Sequence, residues 1–333
     1  MRALPGPRGP TSAALLAALL QPPHELARVP LPPGADPLVD EDLQLALYLC
    51  YELHYRGLPG VDERWEWSPA LLAVRAALEA RFESALRAAV GPVAAPDAPE
   101  EMDLALRAVA AADTAPSVSR FVEREAGLDQ VLEFLVHRSA YQLKEADPHS
   151  WAIPRLSGPP KAALVEIQAD EYGGGRAERM HAQLFADAMA AAGLDPTYGA
   201  YLERLPAVTL ATVNLMSLCG LHRRLRGAIV GHLALFEMSS SIPNRRYAGG
   251  LRRLGLADAT PFFDEHVTAD AVHENVAAVD LAGGLARLEP ALAADIVWGA
   301  RALVEVEGRW AGHLMACWAR GRPSLRTPLL AAA

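Results

Sequence analysis

The sequence predicts a nearly all-helical globular protein, and three observations support this fold class. Apolar residues make up 51% of the 333 residues and charged residues 21%. Alanine and leucine dominate, and the alternating runs of Val, Ile or Phe that are typical of strands are few. A chain of this length can also bury a sizeable core without disulfide bonds or other cross-links.

The first helical segments are predicted at about 40–56 and 68–90, and the turn at 57–60 between them makes them an antiparallel pair. A stretch rich in Pro, Ala and acidic residues at 91–101 carries too little apolar surface to pack, which predicts a linker. We therefore expect three parts: a proline-rich N-terminal arm (1–39), a helical pair with its linker (40–100) and a helical bundle (101–325).

Within the bundle, three glycines at 173–175 remove side chains from an otherwise helical stretch and predict a kink or break there. Helical periodicity is found in seven segments, at about 102–113, 117–145, 161–192, 207–220, 224–238, 261–282 and 290–320. The predicted fold is thus a bundle of about seven helices with an additional N-terminal helical segment.

Charge, cysteine content and hydropathy exclude several classes of protein. The net charge is −9 and no block of Lys or Arg is present, so nucleic acid is not expected as a partner. Cys50, Cys219 and Cys317 are far apart and outside any CxxC spacing, so a disulfide framework is not expected. We expect the protein to be located in the reducing cytoplasm. The apolar stretch at 206–221 is shorter than the roughly 20 residues of a spanning helix, so no membrane segment is expected.

The most specific chemical signal is the motif His266-Val-Thr-Ala-Asp270-Ala-Val-His273. At about 100° per residue, offsets of four and seven place the three side chains within roughly 60° of one another on a helix. Imidazole and carboxylate ligands together suit iron, manganese or zinc, and the absence of nearby thiolates argues against a structural zinc site. The spacing therefore predicts a metal-binding helix face, against the alternative of a solvated polar face.

A metal site in a bundle needs inward-facing ligands from other helices, and two earlier segments offer them. One contains Glu145. The other contains Glu171, Glu178 and His181. A straight helix would hold Glu171 and His181 about 15 Å apart, whereas a break at 173–175 would turn both inward. Glu178 and His181 alternatively form a Glu-x-x-His pair, so the spacing alone leaves Glu171 and Glu178 both open as ligands.

In these candidate ligands and their spacing, the sequence resembles the haem-oxygenase-like di-iron oxidases. Glu145, then Glu171 and His181, then the motif at 266–273 have the order and spacing of that superfamily. The stretches 46–56, 135–145 and 164–175 look like its bacterial branch, usually called iron-containing redox enzymes, and the likeness covers most of 40–325. The resemblance favours Glu171 over Glu178, which stays in reserve.

The resemblance implies a haem-oxygenase-like seven-helix bundle without haem, with two Fe(2+) ions per chain held by Glu145, Glu171, His181, His266, Asp270 and His273. It further implies activation of O2 to oxidise a small organic substrate by amine N-oxygenation, C–C cleavage or desaturation. An external reductant and a homodimer are expected on the same grounds.

Two other interpretations stay open at the level of sequence. A related bundle without di-iron chemistry, such as a thiaminase-like hydrolase or a haem-degrading oxygenase, would need an activated cysteine or a single axial histidine. A non-catalytic helical interaction protein would use the proline-rich arm to embrace a partner, with the polar helix face incidental.

Overall fold

The structure, a computed structural model, describes residues 3–26, 29–31 and 36–329, apart from the side chains of 269–272. The regular elements of this part are helices: α1 Pro10–Leu19, α2 Glu41–Glu52, α3 Pro69–Val90, α4 Met102–Ala111, α5 Val118–Arg124, α6 Leu128–Gln142, α7 Asp147–Ser150, α8 Gly158–Glu171, α9 His181–Ala191, α10 Ala207–Leu221, α11 Arg226–Arg253, α12 Pro261–Asn275, α13 Gly284–Leu288 and α14 Ala293–Trp318. A π-helix, Val276–Gly283, connects α12 to α13. No strand occurs among the described residues, so the all-α prediction is confirmed.

The long helices α11 and α14 form the centre of the bundle and approach each other very closely. An added Cβ at Gly231 would lie 1.8 Å from the carbonyl oxygen of Ile296, and one at Gly299 would lie 2.0 Å from that of Ala228. Glycine at both positions therefore lets the two backbones touch. Helices α5 and α12 pack against α11. Helix α10 packs against both α2 and α14.

Two helix boundaries differ from the prediction for identifiable reasons. The segment predicted at 224–238 continues to Arg253 through Pro243, because Tyr247, Ala248 and Leu251 beyond the proline are buried and packing sustains the helix. The segment predicted at 117–145 is broken before Gly127, whose backbone N–H donates to Gln130 Oε1 at 2.9 Å and starts α6 anew.

The N-terminal helices pack on the bundle. The Asp42 carboxylate accepts hydrogen bonds from the backbone N–H groups of Thr11 at 2.8 Å and Ser12 at 2.7 Å. These two N–H groups lie in the first turn of α1 and have no acceptor within the helix. Leu15 and Leu19 of α1 are fully buried in the same core as α2 and α10. Among the described residues, none of the helices has the length and apolar character needed to cross a bilayer.

The contact between α11 and α14 yields a stability prediction. We expect Gly231→Ala or Gly299→Ala to lower the free energy of unfolding by about 2 kcal/mol or more, because each methyl group overlaps a backbone carbonyl of the partner helix. Gly312→Ala, also on α14 but with no atom within 4 Å of the added Cβ, should instead raise it by about 0.5–1 kcal/mol. Urea denaturation would measure all three, and equal effects at the three positions would contradict the close contact.

Candidate metal centre

Three helix ends and one helix face bring acidic and histidine side chains to one place inside the bundle. Glu145 lies in the turn after α6, and Glu171 is the last residue of α8. His181 is the first residue of α9, and His266 and His273 lie on α12. All five side chains are buried, which is unusual for ionisable groups and requires each to have a partner.

The predicted break at the three glycines is present and explains how Glu171 meets His181. Gly173, Gly174 and Gly175 have φ values of +67°, +60° and +81°, a left-handed region that favours glycine. An added Cβ at Gly173 would lie 2.6 Å from the backbone nitrogen of Met180. Because the chain reverses here, Glu171 Oε2 lies 3.1 Å from His181 Nδ1.

A first cluster consists of Glu145, Glu171, His181 and His266, whose ligand atoms all lie within 4.8 Å of one another. His266 Nε2 is 3.6 Å from Glu145 Oε1. The other ring nitrogen, Nδ1, lies 2.8 Å from the carbonyl oxygen of Phe262, which can only accept a hydrogen bond. This contact assigns the proton to Nδ1 and leaves the lone pair of a neutral ring on Nε2, the state that binds a metal.

A second cluster consists of Glu171, Glu237 and His273, also with ligand atoms within 4.8 Å. His273 Nδ1 lies 3.4 Å from Glu237 Oε2, and His273 Nε2 lies 3.2 Å from Asp170 Oδ2. The partly exposed Asp170 carboxylate thus orients the His273 ring from the side that faces away from Glu237. Glu171 belongs to both clusters and lies between the two sets of side chains.

The structure distinguishes the two glutamates that the spacing left open. Glu171 is buried in both clusters, whereas Glu178 is exposed on a 3-10 turn, Ala177–Arg179, and is in neither. Of the predicted ligands, Glu145, Glu171, His181, His266 and His273 come together. Asp270 lies outside the residues whose side chains are described.

Glu237 of α11 is the member of the clusters that sequence reasoning missed. It follows the apolar run 227–236 and is itself 7% exposed. An isolated carboxylate at the end of such a run is a signal for a buried acid with a partner. Its neighbour His273 is 36 positions further along the chain, so no local spacing links them.

The electrostatics of the clusters suit bound cations. Burial raises the pKa of Glu145. Burial would lower the pKa of His273, but the Glu237 carboxylate outweighs it and the pKa rises to about 9. For His181 the Glu171 carboxylate likewise outweighs burial and raises the pKa. The buried oxygen Glu145 Oε2 has no hydrogen-bond partner, as expected of a group that faces a metal ion.

Carboxylates and imidazoles without thiolates are a donor set that fits ferrous iron. The residues present therefore match the chemistry of an iron site. Two neutral histidines lie beside it: burial lowers the pKa of both His149 and His232, and His149 Nε2 is 3.1 Å from His232 Nδ1.

A cavity of about 280 Å³ lies next to the clusters, between α6, α11 and α14. Its wall is mostly aromatic and apolar, with Phe134, Phe263 and Trp310 among its residues, and the Arg138–Glu307 ion pair provides a polar patch. Four residues line both this cavity and the space around Glu145, Glu171 and Glu237, namely Gln142, Phe236, Ser240 and Asn244. A small molecule in the cavity would therefore lie close to the clustered side chains.

The buried His149 predicts a pH dependence of stability. Burial lowers its pKa to about 3, so the ring stays neutral in the folded protein, while the unfolded chain takes up a proton below about 6.5. As the pH falls below about 6.5, the free energy of unfolding should drop by up to about 1.4 kcal/mol per pH unit from this group. His149→Gln should reduce that drop in metal-free protein between pH 6.5 and 5.5, measured by denaturant titration.

The exposed His24 provides the matched control for this measurement, because it is a histidine at the surface of the folded protein. His24→Gln is expected to keep the drop of the unmodified protein. If His149→Gln also kept it, the His149 ring would be taking up its proton in the folded state.

Comparison with known proteins agrees with this site. No curated protein matches the sequence. Residues 132–308 match a protein family described as iron-containing redox enzyme, which supports the resemblance to the haem-oxygenase-like superfamily, and this range runs from α6 to α14 and includes both clusters. Since the match covers more than half of the 333 residues, the chain belongs to the family of iron-containing redox enzymes.

Proposed function

We propose that this protein is a non-haem di-iron oxidase or oxygenase that uses O2 to oxidise a small organic substrate. The observation that carries the proposal is the position of Glu171, which is buried and shared by two clusters of ligand atoms. A carboxylate has two oxygens and can bridge two cations. The arrangement therefore suits a pair of metal ions better than a single one.

The charge of the described residues supports two divalent ions. Glu145, Glu171 and Glu237 contribute three negative charges, and His181, His266 and His273 are neutral when they bind a metal. Two ferrous ions would bring four positive charges, which leaves the interior close to neutral. Asp270, on the same face of α12 by its spacing, is proposed as a further ligand.

In this proposal, Glu145, His181 and His266 would hold one ion, Glu237 and His273 would hold the other, and Glu171 would be a ligand available to both positions. Bound iron would supply the capacity to reduce O2, with further electrons from an external reductant. The protein's own groups orient the ligands: the backbone carbonyl oxygen of Phe262 accepts a hydrogen bond from His266 Nδ1–H, and the Asp170 carboxylate lies beside Nε2 of His273. The pKa of the neighbouring Tyr141 phenol is raised well above its ordinary value by burial, so it stays protonated.

The cavity between α6, α11 and α14 is the proposed substrate site, because it shares a wall with the clusters. Its aromatic and apolar residues suit the apolar body of a small molecule. The reaction types that we propose are amine N-oxygenation, C–C cleavage or desaturation. Assembly as a homodimer is part of the same proposal.

The alternative of a cysteine-dependent hydrolase is less well supported. Burial raises the pKa of the Cys50 thiol to about 12 and shifts that of Cys219 in the same direction. Thiols of this kind are poor nucleophiles because the thiolate is scarce near neutral pH. Cys317 is partly buried on α14 and lies 3.9 Å from His313 Nε2, in neither of the carboxylate–histidine clusters.

The shared carboxylate is tested by Glu171→Gln after anaerobic loading with ferrous iron. The unmodified protein is expected to bind about two irons per chain, and the variant fewer than one, because both ions lose a ligand. Glu178→Gln removes an exposed carboxylate from the same turn region and should leave the stoichiometry unchanged. Iron is counted by a colorimetric chelator assay after desalting.

Oxygen consumption by the loaded protein tests the second half of the proposal. Mixing the ferrous form with O2 is expected to consume O2 and produce a transient absorption band that Glu171→Gln lacks. Uptake of two irons without any consumption of O2 would refute the oxidase function. Unchanged stoichiometry in Glu171→Gln would refute the shared site.

A further inference from the structure

The turn at 143–146 carries Glu145 and has a backbone conformation that needs support. Ala146, directly after Glu145, has φ +75°, and it is the one residue other than glycine with positive φ in the described part of the chain. A side chain with a Cβ disfavours this region, so surrounding contacts must hold the residue there. What holds the turn therefore decides where the Glu145 carboxylate lies.

An ion pair buried from solvent attaches this turn to α2. Lys144 Nζ lies 3.1 Å from Glu52 Oε2, and the two side chains are 1% and 0% exposed. Tyr198 donates its hydroxyl proton to Glu52 Oε2 at 2.7 Å, and the Lys144 ammonium lies 4.2 Å from the centre of the Tyr55 ring. Charges so deeply buried need each other, because neither has access to water.

Two hydrogen bonds to backbone carbonyls hold the turn at its ends. Arg56, in the loop after α2, donates to the carbonyl oxygen of Leu143 at 2.8 Å. Gln168 of α8 donates to the carbonyl oxygen of Ala146, also at 2.8 Å. The backbone around Glu145 is thus held from α2 on one side and from α8 on the other.

We infer that Glu52 and Arg56 are positioning residues for the Glu145 metal ligand, so that the N-terminal segment outside the family-matched range 132–308 determines affinity at one of the two iron positions. The inference rests on the proposed di-iron site. Glu237 and His273 lie on α11 and α12 and make none of these contacts with the turn, so the second position should be much less sensitive to α2. A general loss of protein stability would not weaken iron binding at one position alone.

Glu52→Gln tests the inference by leaving Lys144 buried beside a neutral amide. In anaerobic ferrous titrations against a competing chelator, we expect one iron to bind at least tenfold more weakly and the other to keep its affinity. Arg56→Met removes the bond to Leu143 and the contact of the guanidinium with the Tyr198 ring, whose centre is 4.2 Å away, and should show the same selective loss to a smaller degree. This second variant preserves the test if Glu52→Gln does not fold.

The matched control is Glu79→Gln on α3. Glu79 is also buried, and it pairs with Arg75 at 3.3 Å and with His222 at 2.9 Å. It lies beside Tyr51 of α2, so its loss disrupts a buried ionic cluster against the same helix without removing a contact to the turn at 143–146. We expect a lower melting temperature and two irons with unchanged affinities. A selective loss of one iron in Glu79→Gln, or unchanged affinities in both Glu52→Gln and Arg56→Met, would overturn the inference.

Hydrogen exchange in metal-free protein separates this inference from the proposed function. Glu52→Gln and Arg56→Met should speed exchange at 143–147 but not at the start of α12, while Glu79→Gln should speed neither. If the unmodified protein bound no iron, the proposed function would fall. Unchanged exchange at 143–147 in Glu52→Gln and Arg56→Met would overturn the positioning role, whether or not the protein binds iron.

Discussion

Buried carboxylates at close range repel one another, and the interior of this bundle depends on how that repulsion is compensated. Glu171 has Glu145 on one side and Glu237 on the other, with histidines completing both groups. Without a metal, protons reduce the repulsion. Burial and the Glu171 carboxylate raise the pKa of Glu145, and the carboxylates beside His181 and His273 outweigh burial and raise the pKa of both histidines. A site built in this way favours divalent cations because they supply more positive charge than protons in the same space.

Helix ends provide most of the clustered side chains. Glu171 ends α8 and His181 begins α9, and the three glycines between them allow the reversal that brings the two side chains together. Glu145 lies just beyond the end of α6, in a turn whose shape depends on buried contacts. The interior faces of α11 and α12 then complete the two groups with Glu237, His266 and His273.

The rest of the fold supplies rigidity around this centre. The glycine contacts between α11 and α14 set the distance between the two longest helices, and the aromatic cavity lies along the same interface. Helix α2 lies outside the matched family range but packs in the same core as α10. Its acidic end also reaches Lys144, so the N-terminal segment is in direct contact with the turn that carries Glu145.

Local patterns in the sequence determined much of this arrangement. Apolar periodicity predicted most of the helices, the glycine triplet predicted the break after α8, and the four- and seven-residue offsets placed two histidines on one face of α12. These features depend on contacts within a few residues, which is why they can be read without a structure. Helix α1 was not predicted, because its packing depends on residues of α2 and α10.

Only the tertiary structure decided which distant residues meet. The burial of Glu171 and the exposure of Glu178 depend on the helices that pack over them, and the entry of Glu237 into the second cluster depends on α11 crossing α12. The continuation of α11 beyond Pro243 has the same origin, since buried residues on the far side outweigh the local effect of proline. Contacts between residues far apart in the chain follow from the packing of whole helices, and no spacing within one helix encodes them.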